Sequence, residues 1–295
     1  MLINLAALKF LPHRLRGLIN LRVRVKLNEQ ELVIPASMAD GFQNVFWTKS
    51  WKAEVIERLV DDDIGVFIDV GANVGQTLLD LYLTRPRTRY IGFEPNVACV
   101  GYLKELIQVN SFQNCQIIPV GLAEESMCRP LFRHKYAPTD PCGSIISSLR
   151  PSRSFNIDIV PCFRFDDVRR GLDLGEISFV KIDVEGAELE TLTGMRMCLQ
   201  ECRPLVLCEV LFTDSKADLL TTKLRNDKLM QLLKDTRYKV QQLIKSADGV
   251  HVVMARKIQE FPSAYWTDEN KELCDYLFVP EEKETYVLDT LLTER

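Results

Sequence analysis

The sequence predicts an α/β fold: an open, mainly parallel, seven-stranded sheet that ends in an antiparallel hairpin strand and carries helices on both faces. Three observations predict it. Two apolar runs, Val66-Phe67-Ile68-Asp69-Val70 and Phe179-Val180-Lys181-Ile182-Asp183, each reach an acid and then a glycine-bearing turn before a helix start. From residue 66 onward, apolar runs alternate with helical patterns, as parallel strands covered on both faces require. Ser246-Ala247-Asp248-Gly249 joins two further strand-like runs, and Asp-Gly between such runs signals a hairpin.

Residues 1–60 lead into this core. Leu2, Leu5, Leu8, Leu11, Leu15 and Leu18 recur at helical spacing among Lys9, Arg14 and Arg16, with no acid before Glu29. Residues 2–19 are therefore expected to form a basic amphipathic helix. Docking on its own domain or at a homodimer contact is the favoured use, and contact with a membrane surface is the other. Leu21 to Leu27 alternates apolar with basic residues, Asn28-Glu29-Gln30 turns the chain, and Glu31 to Ile34 returns, a hairpin. Lys49 to Val60 places Trp51, Val55, Ile56 and Leu59 on one helical face.

The main domain spans residues 61–257, with strands expected at 66–70, 90–94, 115–121, 179–183, 204–210, 238–245 and 250–257. Residues 122–178 make a long crossover rich in donors, among them Arg133, His134, Ser144 and Arg153. Such an insertion above the carboxyl edge of a sheet serves as a substrate lid or wall, or is a solvated β excursion. Residues 258–295 read as a helical appendage.

Composition narrows the function. A net charge of −4 argues against a nucleic-acid partner, because phosphate binding needs a basic field. The nine cysteines contain no CxxC pair, and only His13, His134 and His251 accompany them, so no zinc site is expected. Scattered thiols of this kind suit a reducing, cytoplasmic setting. No run of 18 apolar residues suggests a membrane span, and Pro12 interrupts the first apolar stretch.

In an open α/β sheet, ligands bind outside the carboxyl ends of the strands. Gly71 and Gly75 bracket the turn after the first strand, and the following helix N-terminus offers free N–H groups. Asp69 stands near the strand tip, where it can accept from a cationic group. Glu94 ends the second strand, 23 residues after Gly71, where a carboxylate can accept both hydroxyls of a ribose. A dinucleotide fingerprint needs glycine where this chain has Asn73. The larger residue favours a nucleoside cofactor without pyrophosphate, such as S-adenosylmethionine, over NAD.

Four segments, Asp69-Val70-Gly71-Ala72-Asn73-Val74-Gly75, Gly92-Phe93-Glu94-Pro95-Asn96, Phe165-Asp166-Asp167-Val168 and Lys181-Ile182-Asp183-Val184-Glu185-Gly186-Ala187-Glu188, resemble FkbM-type methyltransferases in order and spacing. The resemblance covers residues 66–257. It implies a class I, Rossmann-like methyltransferase fold, S-adenosylmethionine as donor, and O-methylation of a hydroxyl. It also implies that Asp69, Gly71, Asn73 and Gly75 line the methionine end and that Glu94 holds the ribose, with Asn96 and Gly121 at the same site.

An unactivated hydroxyl must lose its proton during methylation, which calls for a general base. Asp183 and Glu185 follow the fourth strand, Glu209 ends the fifth, and His134 stands in the long insertion; these four are the candidates. Lys181 is expected to pair structurally with an acid. Asp183 and Glu209 could together ligate a divalent metal, but two acids do not define one, and no metal is assigned. The expected function is O-methyl transfer to a sugar, glycan precursor or secondary metabolite. The alternatives are an NAD-dependent oxidoreductase and a non-catalytic module that binds the cofactor.

Overall fold

The computed structural model describes residues 21–36, 41–135, 138–146, 155–172, 174–213 and 216–292. The helix expected at 2–19 lies outside them. Arg22–Leu27 (β1) and Gln30–Pro35 (β2) form the expected hairpin, with Leu27 opposite Gln30. Asn28 and Glu29 both take positive φ, 44° and 66°, the pair of angles that a two-residue turn matched to strand twist requires. Trp51–Leu59 (α1) follows, with Ser50 accepting from the Ala53 N–H as its N-cap.

The core then alternates: Val66–Val70 (β3), Gln76–Thr84 (α2), Arg89–Phe93 (β4), Val97–Asn110 (α3) and Cys115–Ile118 (β5). The run expected as one strand over 115–121 is broken by Pro119, which has no N–H for a ladder. Gly121–Leu122 (β6) instead joins Met127–His134 (β7) and Phe155–Phe163 (β8) in a separate three-stranded sheet of order β6-β8-β7. The long insertion is therefore largely β structure. Phe165–Gly171 (α4) returns the chain to Ile177–Ile182 (β9), followed by Glu188–Gly194 (α5), Arg196–Glu201 (α6), Leu205–Glu209 (β10), Leu219–Asp235 (α7), Tyr238–Lys245 (β11) and Val252–Ile258 (β12).

The main sheet has eight strands, in the order β12-β11-β13-β10-β9-β3-β4-β5. Its β13 is Asp275–Pro280, antiparallel to both β10 and β11, and Glu284–Leu292 (α8) ends the described chain. Two expectations are corrected here. The hairpin strand β12 is an extra edge strand rather than the closing one, so the sheet is mixed and eight-stranded. Residues 258–295 are not a helical appendage, because β13 lies in the middle of the sheet with every residue buried. Its all-apolar centre, Tyr276-Leu277-Phe278-Val279, was the signal that helical patterning on either side obscured.

Helices α1, α2, α3 and α8, with the β1–β2 hairpin, cover one face of the sheet, and α4 to α7 cover the other. Starting at β3, the chain runs outward through β4 and β5, then crosses back to β9 on the far side of β3. The strand order reverses between β3 and β9, so a crevice opens at their carboxyl ends, where ligands of such sheets bind. Among the described residues, no helix is long and apolar enough to cross a membrane.

Candidate active site

The turn after β3 is shaped by how closely β9 approaches it. Gly71 has φ +79°, and a Cβ there would lie 1.9 Å from the backbone oxygen of Asp183; only glycine permits both. Gly71 and Ala72 donate their N–H groups to the Phe93 carbonyl, and the Asp183 N–H bonds to Val70. These bonds lock the tips of β3, β4 and β9 together. Asn73 takes a left-handed φ of +45°, which its short polar side chain tolerates.

A concave cleft lies against these tips, at the place in such a sheet where small-molecule ligands bind. Gly71, Asn73, Glu94, Asn96 and Gly121 line it, as do Asp183 and Glu185. Its outer wall is Asp140, Pro141, Gly143 and Ile145 from the long insertion. Asn96 pins that wall by donating to the Pro138 carbonyl at 2.8 Å, while its Oδ1 caps α3 through the Ala98 N–H.

Glu94 is buried, with one oxygen accepting from the Asn73 N–H and the other from the Asn96 N–H, both at 2.8 Å. Each carboxylate oxygen keeps a further acceptor site for a ligand hydroxyl. Burial pushes this carboxyl up to about 7 against those two donors. The N–H that a dinucleotide turn would offer to pyrophosphate is here bound to Glu94, so the fit is to a nucleoside without phosphate.

Asp69 and Gly75 do not reach the cleft. Asp69 is fully buried, and the cation it meets is Lys181, at 3.1 Å, while Tyr90 donates to its other oxygen at 2.7 Å. Gly75 caps α2 and is packed against α3, where a Cβ would come within 2.9 Å of Leu103. His134 also stays away from the cleft lining: it is exposed at the end of β7, and its backbone N–H donates to Asp140.

The three acids converge. Single carboxylate oxygens of Asp183, Glu185 and Glu209 lie within 4.8 Å of one another, close enough to share a cation in principle. Asp183 faces Lys181 at 3.7 Å and Lys52 at 3.9 Å. Burial opposes its charge, yet the two lysines and a hydrogen bond from Glu209 outweigh that and hold its carboxyl below the usual range. Glu209 shifts the other way: burial, Asp183, Asp275 and Glu185 push it up to about 9. It therefore carries a proton at neutral pH and donates to Asp183. Cys274 donates to Glu209 from the opposite side, and Asp275 faces it across the β10–β13 ladder. Glu185 holds φ +55°, a strained conformation for a long side chain and one that collects at functional sites.

A second depression continues from the cleft past Asp183 and Glu185 to Lys52, Gln43 and Gln76. It runs on to Trp47, Thr48 and Asp80. Trp47 Nε1 donates to Asp80 at 2.7 Å, and burial pushes the Asp80 carboxyl up to about 7. Sequence reasoning missed Lys52, Asp80 and Asp275. The first two stand on elements whose patterning signals only a buried face, and Asp275 opens a strand that was not foreseen. Lys181 pairs with an acid as expected; it bridges Asp69, the Gly71 carbonyl at 2.9 Å and Asp183.

An acid-tipped, glycine-bearing crevice with a ribose-ready carboxylate, and no phosphate cradle among the described residues, fits a nucleoside cofactor bound by an α/β fold. The FkbM methyltransferase domain matches residues 69–240, more than half of the chain. The chain belongs to that family of methyltransferases, and S-adenosylmethionine is its cofactor. The oxidoreductase alternative is set aside by this membership.

Solved structures similar to the chain include the FkbM methyltransferase of Methylobacillus flagellatus, 17% identical, with a TM-score of 0.43 over 74% of this chain and 44% of that one. The chain thus spans less than half of that relative. A putative caffeoyl-CoA O-methyltransferase of Staphylococcus aureus is 10% identical, with a TM-score of 0.45 over 79% and 85% of the two chains. Aeropyrum pernix fibrillarin, solved with S-adenosylmethionine, is 12% identical, with a TM-score of 0.40 over 77% and 72%. Comparison with the curated proteins gives no match.

Proposed function

We propose that the chain is an O-methyltransferase acting on a hydroxyl of a sugar, glycan precursor or secondary metabolite. The observation that carries this reading is Asp183, an ionised carboxylate beside two lysines, at the junction of the cleft and the polar groove. When bound, the cofactor supplies an electrophilic methyl group on a sulfonium. Glu94 accepts the ribose hydroxyls, and Gly71, Asn73 and Gly121 shape the wall beside them. Asp69 works at one remove, by fixing Lys181.

The acceptor lies in the groove of Gln43, Lys52 and Gln76, whose amides and ammonium suit a polyhydroxylated molecule. Asp183 accepts a hydrogen bond from the reacting hydroxyl and turns its lone pair toward the cleft, a positioning effect on an already activated reaction. Transfer of the methyl group would form a C–O bond as the carbon–sulfur bond breaks and the donor leaves as a neutral thioether, and the oxygen would then be a protonated ether, a far stronger acid than any carboxylic acid. A carboxylate of depressed pKa is therefore basic enough to take the proton late in the step. Glu209, already protonated, orients Asp183 by donating to it.

The test is transfer of labelled methyl from S-adenosylmethionine to a panel of hydroxyl acceptors, for the wild type and Asp183→Asn. Asp183→Asn is expected to lose at least about 100-fold in turnover while keeping its affinity for S-adenosylhomocysteine. Undiminished turnover would remove Asp183 as the base. A wild type that binds the nucleoside and methylates no hydroxyl would favour the non-catalytic reading.

A further inference from the structure

A pair of cysteines on the opposite side of the sheet's tips carries chemistry that methyl transfer does not use. Cys198 lies within α6 and Cys202 closes that helix. Cys198 is buried, and Cys202 is partly accessible. Arg169, from α4, aims Nη1 at the Cys202 sulfur at 2.9 Å. The Cys198 thiol and the Ile177 backbone N–H, from the start of β9, also donate to it. One sulfur thus receives three donors from three elements, and one of them is a fixed cation.

The charges facing this sulfur do not all favour an anion. Glu201 shares the Arg169 guanidinium through Nη2, and Asp166 lies behind Cys198, accepting the Met197 and Cys198 N–H groups. The carboxyl end of α6 adds a small unfavourable dipole. The hydrogen bond from Cys198 and the Arg169 charge nevertheless outweigh burial and bring the Cys202 thiol down to about 6, while the same bond pushes Cys198 up.

We propose that Cys202 is a resident thiolate and a modification site, whose co-reactant is a low-molecular-weight disulfide or another soft electrophile. A thiolate, not a thiol, is the nucleophile in such reactions. With a disulfide, the Cys202 sulfur attacks one sulfur of the reagent, a new S–S bond forms and the old one breaks. The other half leaves as a thiolate and takes a proton from water. Cys202 is oxidised, the reagent is reduced, and no further redox partner is needed. Arg169 is the positioning residue, since its guanidinium holds the charge on sulfur without touching the reagent. This site is independent of the methyl-transfer reading.

The test is the rate of alkylation by iodoacetamide, resolved by peptide mass, across pH 5 to 9 in the whole chain. Exposed Cys128 is the reference within the same molecule. Cys202 is expected to react at least tenfold faster than Cys128 at pH 6.5, with a half-maximal rate near pH 6. Arg169→Gln is expected to move that midpoint toward the ordinary thiol value, roughly 8.5, with binding of S-adenosylhomocysteine unchanged as the check on folding. A Cys202 rate no greater than that of Cys128, or a midpoint at 8 or above, would overturn the proposal. If Arg169→Gln does not fold, the wild-type profile decides alone. Oxidised glutathione as probe then tests the disulfide class: a mixed disulfide at Cys202 ahead of Cys128 supports it, and no adduct at Cys202 overturns it.

Discussion

At the scale of single residues, the site divides its acids by environment. Asp183 stays charged because two lysines and a protonated neighbour face it, whereas Glu209 stays neutral because burial and three acids surround it. Glutamine reproduces a protonated glutamate in shape and in its ability to donate. Glu209→Gln is therefore expected to keep turnover within about threefold of wild type, a small loss beside the roughly 100-fold range of acid–base catalysis. Glu209→Leu, which cannot donate to Asp183, is expected to lose tenfold or more. Equal losses in the two variants, measured as initial methyl-transfer rates, would make Glu209 a base rather than a donor. Much of this residue-level picture was legible in the sequence, since Asp183, Glu185, Glu94 and Asn73 all line one cleft and Glu209 stands beside Asp183. Strand position alone could not tell which acid carries a proton, because that depends on Lys52 and Asp275, brought in from distant elements. It likewise could not show that Asp69 points into the core rather than into the cleft.

At the scale of elements, the parallel strands were readable because each is a short apolar run with a turn at its end. The closing strand was not, because β13 follows an edge hairpin that mimics it. Position in the sheet gives β13 two jobs: it supplies ladders to β10 and β11 at once, and it sets Cys274 and Asp275 against Glu209. A chain ending after Ile258 would expose both ladders and lose the buried Tyr276, Leu277, Phe278 and Val279. Burying one such side chain contributes roughly 1.5–3 kcal/mol, and whole domains are stable by only about 5–15 kcal/mol. That truncation is expected to abolish cooperative unfolding, as followed by circular dichroism. A truncated chain that melts within a few degrees of the full one would contradict the placement of β13. The long insertion was foreseen as a wall or an excursion, and it is largely β structure that lends six residues to the cleft, Leu122 and Leu131 from strands and Asp140, Pro141, Gly143 and Ile145 from the segment between β7 and β8. Its boundary was set by Pro119, a residue whose effect the apolar run around it concealed.

At the scale of the whole molecule, buried acids govern how stability follows pH. Glu94 and Asp80 are pushed up to about 7, Glu188 to about 8 and Glu209 to about 9, burial being the first cause in each. Between the ordinary carboxylate range and these values, the folded chain holds protons that the unfolded chain has released. Stability must then fall as pH rises through that window. Asp183 and Glu54 shift downward, so their contribution is present above the ordinary range and is lost only on acidification below it. The melting temperature is expected to be highest near pH 4 to 5, at the lower edge of that window, and to drop by at least about 4 °C by pH 9, given roughly 2–4 °C per kcal/mol for a domain of this class. A flat or rising profile from scanning calorimetry would contradict the protonated, buried state of these acids. The same burial ties fold to function, because the carboxylate held by the Asn73 and Asn96 N–H groups is the one assigned to the ribose. The most direct measurement is calorimetric titration of S-adenosylhomocysteine into the wild type and Glu94→Ala, with NAD as the control. The account predicts micromolar binding that Glu94→Ala weakens tenfold or more, about 1.4 kcal/mol, with NAD inert. Equal affinity in the two proteins, or tighter binding of NAD, would contradict it.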